Sequence, residues 1–134
     1  MKTLKGKQLT AYIDHTILKP TTTQADIVKL CTEALENNFA AVCVPPLFVK
    51  MAKQMVTNST VKVATVIGFP FGYSAIEAKV AEIILAIIDG ADELDVVINI
   101  SAIKNADWPY LANELGHILP IVRSKEKVIK IIIE

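Results

Sequence analysis

Two charged residues interrupt otherwise apolar runs: Asp95 within residues 94–98 and Lys130 within residues 128–133. A charge buried alone is costly, so each requires a partner, and the two can serve each other if their segments lie side by side. A carboxylate beside an ammonium group can move protons to and from a carbon or hydroxyl held between them. The same residues can equally form a structural ion pair, and spacing alone does not choose. Asp14-His15-Thr16 follows a short β-prone run and is a second candidate; its alternative is a turn in which Asp14 and Thr16 satisfy backbone donors. Cys43 closes another such run ahead of Pro45-Pro46 and, lacking a histidine beside it, reads first as a small buried hydrophobe. His15 and His117 are too few and too separated for a zinc site, and no metal motif occurs. The loop from Gly68 to Gly72 matches neither a dinucleotide nor a Walker phosphate loop and reads as a tight turn. Trp108, beside Pro109, reads as a helix start without a ligand role.

The elements that must hold these residues alternate in type. Short β-branched runs fall at residues 12–14, 40–44, 61–67, 94–98 and 128–133, bounded by polar, Gly or Pro residues. Helical spacing fills the gaps. Ile27, Leu30, Cys31, Ala34 and Leu35 make one apolar face, with Thr23 and Asp26 at its N-cap. Ile76, Val80, Ile83, Ile84, Ile87 and Ile88 make another, with Ser74 and Glu77 placed as a capping box and Gly90 as the stop. Phe48, Met51, Ala52, Met55 and Val56 form a third. Leu111, Leu115, Ile118, Leu119 and Val122 form a fourth, which Pro120 is expected to kink.

Strands separated by helices pair in parallel through right-handed crossovers, which leaves a doubly wound open sheet or all or part of a (βα)8 barrel. Side-chain parity favours the barrel. Leu94, Val96, Ile98 and Ile100 share one face of their run and Glu93, Asp95, Val97 and Asn99 the other; Lys130 likewise opposes Ile129 and Ile131. A doubly wound sheet wants strands apolar on both faces, whereas a barrel tolerates polar residues lining its interior. An edge strand would show the same parity. The expectation is an α/β fold: a partial (βα)8 barrel of about five parallel strands with four connecting helices.

Bulk properties narrow the function. At 134 residues the chain makes one domain, residues 1–134, and about half of an eight-fold barrel. Its 14 basic residues balance 14 acidic ones without a charged block, which disfavours nucleic acid. The longest uncharged stretches, 37–49 and 63–76, are broken by Pro or Gly and are too short to span a bilayer. The basic start has no apolar core behind it, so a secretory leader is not expected. Two cysteines are too few for a disulfide framework. Reduced thiols and a cytoplasmic location are the expectation.

Five blocks then resemble one family in order and spacing: YIDHTILKP at 12–20, AVCVPP at 41–46, VATVIGFPFG at 63–72, GADELDVVIN at 90–99 and KIIIE at 130–134. They are similar to the bacterial deoxyribose-phosphate aldolases and cover nearly the whole chain. Pro45 stands where the family often has Asn. The resemblance implies a class I aldolase on a (βα)8 barrel that cleaves 2-deoxy-D-ribose 5-phosphate reversibly to glyceraldehyde 3-phosphate and acetaldehyde, without metal or other cofactor. It implies Asp95 as the acid/base residue and Asp14, Cys43 and Lys130 as pocket-lining positions. The family's Schiff-base lysine belongs to a sixth-strand motif and its second lysine and phosphate loops to strands seven and eight, all expected beyond Glu134. Without the electron sink and the phosphate anchor the chain by itself is expected to be inactive, and Lys130 is a poor substitute nucleophile, since a partner such as Asp95 favours its charged form. Open edges at the first and fifth strands, the latter strongly apolar, imply self-association into a homo-oligomer.

Overall fold

The structure, a computed structural model, describes residues 6–133. The basic start at residues 1–5 and Glu134 lie outside the described residues. A short helix, α1 (Lys7–Thr10), precedes five strands: β1 (Asp14–Thr16), β2 (Ala41–Val44), β3 (Lys62–Ile67), β4 (Glu93–Val97) and β5 (Val128–Ile132). The crossovers carry α2 (Gln24–Asn37), α3 (Val49–Val56), α4 (Ile76–Asp89), α5 (Ile100–Lys104) and α6 (Trp108–Ser124), and a 3-10 turn, Pro46–Phe48, leads into α3. Among the described residues no helix is long and apolar enough to cross a membrane.

All four strand pairings are parallel and the order is β1-β2-β3-β4-β5. This order decides between the two architectures. Right-handed crossovers that always step to the next strand lay every helix on one face, whereas a doubly wound sheet needs a reversal to cover the second. Burial follows the same division. Val42, Val44, Val63, Ile67, Leu94 and Val96 pack with Ile27, Cys31, Ile83 and Ile118 of the helices in one large core. On the opposite face a smaller apolar cluster of Ala41, Cys43, Ala64 and Val66, with Leu18 packed against it, is found among the described residues.

The sheet is curled. Four interstrand spacings of about 4.8 Å would put the edges of a flat sheet about 19 Å apart. Yet Lys130 on β5 donates a hydrogen bond to Asp14 on β1 over 2.6 Å. One lysine side chain cannot bridge such a flat sheet, so the five strands carry the curvature of a partial (βα)8 barrel, the α/β fold that parity favours.

Three local expectations change. The first strand starts at Asp14, because Tyr12 and Ile13 close turns onto Leu9 and Thr10 behind α1; Asp14-His15-Thr16 is therefore the strand itself, although Thr16 does bond the Asp14 carbonyl. The Ser74 capping box does not form. Helix α4 is entered from Ala75, whose carbonyl accepts from the Ala78 and Lys79 N–H groups, one residue out of register with the box. The buried stripe of α4 is Ile76, Lys79, Ile83 and Ala86, with Ile84 and Ile88 exposed, because Lys79 is drawn inward by a partner on α6. Helix α6 continues past Pro120, and the Gly116 carbonyl, which Pro120 cannot meet with an N–H, belongs to an exposed residue within reach of water. The Thr23–Asp26 box on α2 and the Gly90 stop form as expected.

Candidate active site

The concave face brings four elements to one point. In the pairing register Asp95 lies opposite Lys130 on one side and Val66 on the other. The Lys130 ammonium sits 2.6 Å from Asp14 Oδ2, 2.8 Å from Glu93 Oε2 and 3.0 Å from Asp95 Oδ1. The Cys43 thiol donates to Asp95 Oδ2 at 3.8 Å. All four sequence-derived candidates, Asp14, Cys43, Asp95 and Lys130, thus meet in one cluster, and Glu93 joins them. Lys130 has three carboxylates around it where the sequence pairs it with one.

Electrostatics sets what each group can do. Burial pushes the Asp95 carboxyl above its ordinary value; Lys130 pulls it back, and the charges of Asp14 and Glu93 push it up again, leaving it raised. Burial acts to lower the Lys130 ammonium, but the carboxylates of Asp14, Glu93 and Asp95 around it outweigh burial, so the amine is held charged. The Cys43 thiol is pushed up to about 12, first by burial and then by the Asp95 charge. It is a neutral hydrogen-bond donor at physiological pH rather than a nucleophile. Asp95 Oδ1 is buried, and the partner it has is the Lys130 ammonium at 3.0 Å, an ion pair that does not count as a regular hydrogen bond. A carboxyl oxygen held by a cation in this way keeps the capacity to take up a proton and pass it to a group bound beside it.

The histidines lie elsewhere. His15 points to the helix face, where it bonds Glu33 at 2.8 Å and stacks on Phe39 at 4.8 Å between centroids. That contact pins α2 to β1 and holds the Glu33 carboxyl below its usual value. His117 bonds the Asn113 carbonyl on the exposed side of α6. The loop at 68–72 is the expected tight turn, closed by Gly72 N–H on the Gly68 carbonyl at 2.8 Å. With Leu18, Pro45, Pro46, Val66 and Glu82, its Phe69 lines a pocket of about 170 Å³ that adjoins the cluster through Val66. No group of three His, Cys, Asp or Glu residues among the described residues is arranged to hold a metal ion.

Two charged sites escape the sequence reading. Asp92, just before β4, binds Lys53 through both oxygens at 2.9 and 2.8 Å and accepts the Val63 N–H at 3.0 Å. Lys79 and Glu114 form an ion pair with no meaningful exposure, 0% and 1%. A signal for the second existed. Lys79 occupies the same place in the stripe Ile76, Lys79, Ile83 as Glu114 does in Leu111, Glu114, Ile118, so two opposite charges fall at matching positions on helices that flank one strand.

A curled parallel sheet with helices outside and a lysine-carboxylate cluster inside fits a barrel aldolase. The sequence profile of the DeoC/LacD family aldolases matches residues 9–134, and the chain belongs to that family. The deoxyribose-phosphate aldolase of Caldicellulosiruptor saccharolyticus is 48% identical over 129 residues, 96% of this chain and 59% of that protein. That of Thermococcus kodakarensis is 48% identical over 133 residues, 98% of this chain and 59% of its own length. The tetrameric deoxyribose-phosphate aldolase of Aeropyrum pernix superposes with a TM-score of 0.85 at 31% identity, covering 96% of this chain and 53% of that one. The chain spans little more than half the length of these relatives.

Proposed function

We propose that this chain forms the first five strands of a deoxyribose-phosphate aldolase, which cleaves 2-deoxy-D-ribose 5-phosphate to glyceraldehyde 3-phosphate and acetaldehyde through a lysine Schiff base. In this reading Asp95 is the acid/base residue, and Asp14, Cys43 and Lys130 line the substrate pocket. The observation that carries it is the Asp95 carboxyl, raised by burial, with one buried oxygen free of hydrogen bonds and a fixed cation 3.0 Å away. A group so placed can hold a proton above the ordinary carboxylate range and pass it to a substrate hydroxyl or carbon. Lys130 contributes a positive charge. Three surrounding carboxylates keep it from acting as the imine-forming amine, so that role falls to a lysine on a sixth strand.

The reaction needs no metal or other cofactor, because the protonated imine is itself the electron sink. Buried, unpaired Cys31 and Cys43 suit a reducing cytoplasm. Without the imine lysine and phosphate loops of the later strands, the 134 residues by themselves are expected to show no appreciable turnover. Joined to strands six to eight of the Caldicellulosiruptor relative, they should cleave deoxyribose 5-phosphate. A folded hybrid without activity would contradict the proposal. For the chain alone, substrate plus borohydride should leave no reduced adduct by mass, and an adduct on Lys130 with product release would overturn its assignment as a spectator cation.

A second reading, that the chain alone is a non-catalytic self-associating half-barrel, is favoured by the open edge of β5, where Val128 and Ile133 are 51% and 69% exposed. Light scattering at micromolar concentration should then report a homo-oligomer; a cooperative monomer would refute it.

A further inference from the structure

The buried pair Lys79 and Glu114 lies on α4 and α6, outside the sheet. Beside the bond that joins the two, its two further hydrogen bonds both go to the end of β4. The Lys79 ammonium donates to Glu114 Oε1 and, at 2.8 Å, to the carbonyl of Val97, the last residue of β4. Glu114 Oε2 accepts the Asn99 N–H at 3.3 Å, and Asn99 in turn caps α5 through the Ala102 N–H. Above the same lysine stem lies the loop between β3 and α4. A Cβ on Gly68 would stand 2.8 Å from Lys79 Cε, and one on Gly72 would stand 2.1 Å from the Ile98 carbonyl oxygen. Glu82, one turn on from Lys79, accepts the Gly68 N–H at 2.7 Å.

We propose that Lys79 and Glu114 are positioning residues that fix the β4 exit and the 68–72 loop as one rigid wall at the edge of the candidate active site. This deepens the aldolase reading and rests on it for its functional meaning. Two features support a positioning role over mere stability. Replacing a buried ion pair by apolar residues is often neutral or stabilising, so this pair is poorly explained as a stability device. Its bonds also go to backbone at the strand exit: Val97 is the last residue of β4 and Asn99 lies in the turn that enters α5, where the regular pairing of the sheet stops. Phe69 links the wall to the site, because it lines the pocket that adjoins Asp95 through Val66.

The test is the double variant Lys79→Met with Glu114→Met in the full chain, read by amide hydrogen exchange and backbone resonances. The chain should stay folded by circular dichroism. Exchange at Gly68, Gly72 and Asn99 should accelerate at least about tenfold while β1–β2 amides keep their protection, a local opening rather than a global one. The Val97 carbonyl carbon should shift as it loses its ammonium donor. Glu114→Gln, which retains an acceptor for Lys79, should restore slow exchange at Gly68; it also serves if the double variant does not fold. Acceleration spread evenly over the sheet, or exchange at the three sites unchanged within about twofold, would overturn the proposal. Neither readout involves substrate, so failure here leaves the aldolase reading standing, and an inactive hybrid leaves the wall standing.

Discussion

Asp92, just before β4, and Asp95, within it, lie three residues apart and have opposite surroundings. Asp92 sits at the N-terminal end of β4, where Lys53 and the Val63 N–H satisfy its oxygens and Lys127 adds its charge at 3.8 Å. Burial works to raise its pKa, but these partners outweigh burial and hold the carboxyl below the ordinary value. Asp95 keeps one buried oxygen without a hydrogen bond and is raised. The satisfied carboxylate ties α3, β3 and β5 together at the floor of the curled sheet. The other lies in the lysine-carboxylate cluster. In barrels the C-terminal side of the strands carries chemistry and the N-terminal side stability, and the proposed roles of the two aspartates follow that division.

The comparison breaks most visibly under substitution. In the active hybrid, Asp95→Asn should lower turnover by about 10² to 10⁴, the usual worth of a general acid/base, with the melting temperature nearly unchanged. Asp92→Ala should do the reverse. It strands Lys53 and the Val63 N–H and should cost about 3 kcal/mol in urea unfolding, with activity per folded molecule retained. A destabilised Asp95→Asn beside an innocuous Asp92→Ala would invert the assignment.

Lys130→Met sharpens the contrast, because it leaves Asp14, Glu93 and Asp95 facing one another without a cation. It should cost about 1–2 kcal/mol near neutrality, and the deficit should shrink as acid protonates the cluster. The smallest effects are those of pH on the unmodified chain. A carboxyl raised on folding favours the folded state below its unfolded pKa, about 3.9 for aspartate, and that contribution is lost as pH rises through the raised value. A lowered carboxyl stabilises above the unfolded pKa and loses that contribution as pH falls through its own. Asp92→Asn should therefore flatten the acid limb of the stability curve and Asp95→Asn the decline above it, measured by melts across pH.

The sheet and the site were legible in sequence to different depths. Strict alternation in β4 and β5 put Asp95 and Lys130 on one face, and the parallel register brought them opposite each other. Curvature was not legible, because it depends on how strands tilt together; it becomes visible in the reach of Lys130 to Asp14, 116 residues away in sequence. Lys79 was lost for another reason. Helical patterning assigns a lysine such as Lys79 to the outer face, and a partner 35 residues away on another helix reverses that. Glu93 shares the face of Asp95, but nothing local shows that one ammonium would serve three acids.

The most direct test of this division is to titrate the Asp92 and Asp95 side-chain carboxyl carbons by NMR in the same sample. Asp95 should titrate above an ordinary aspartate and Asp92 below it. Coincident midpoints, or Asp95 at or below the ordinary value, would contradict the account.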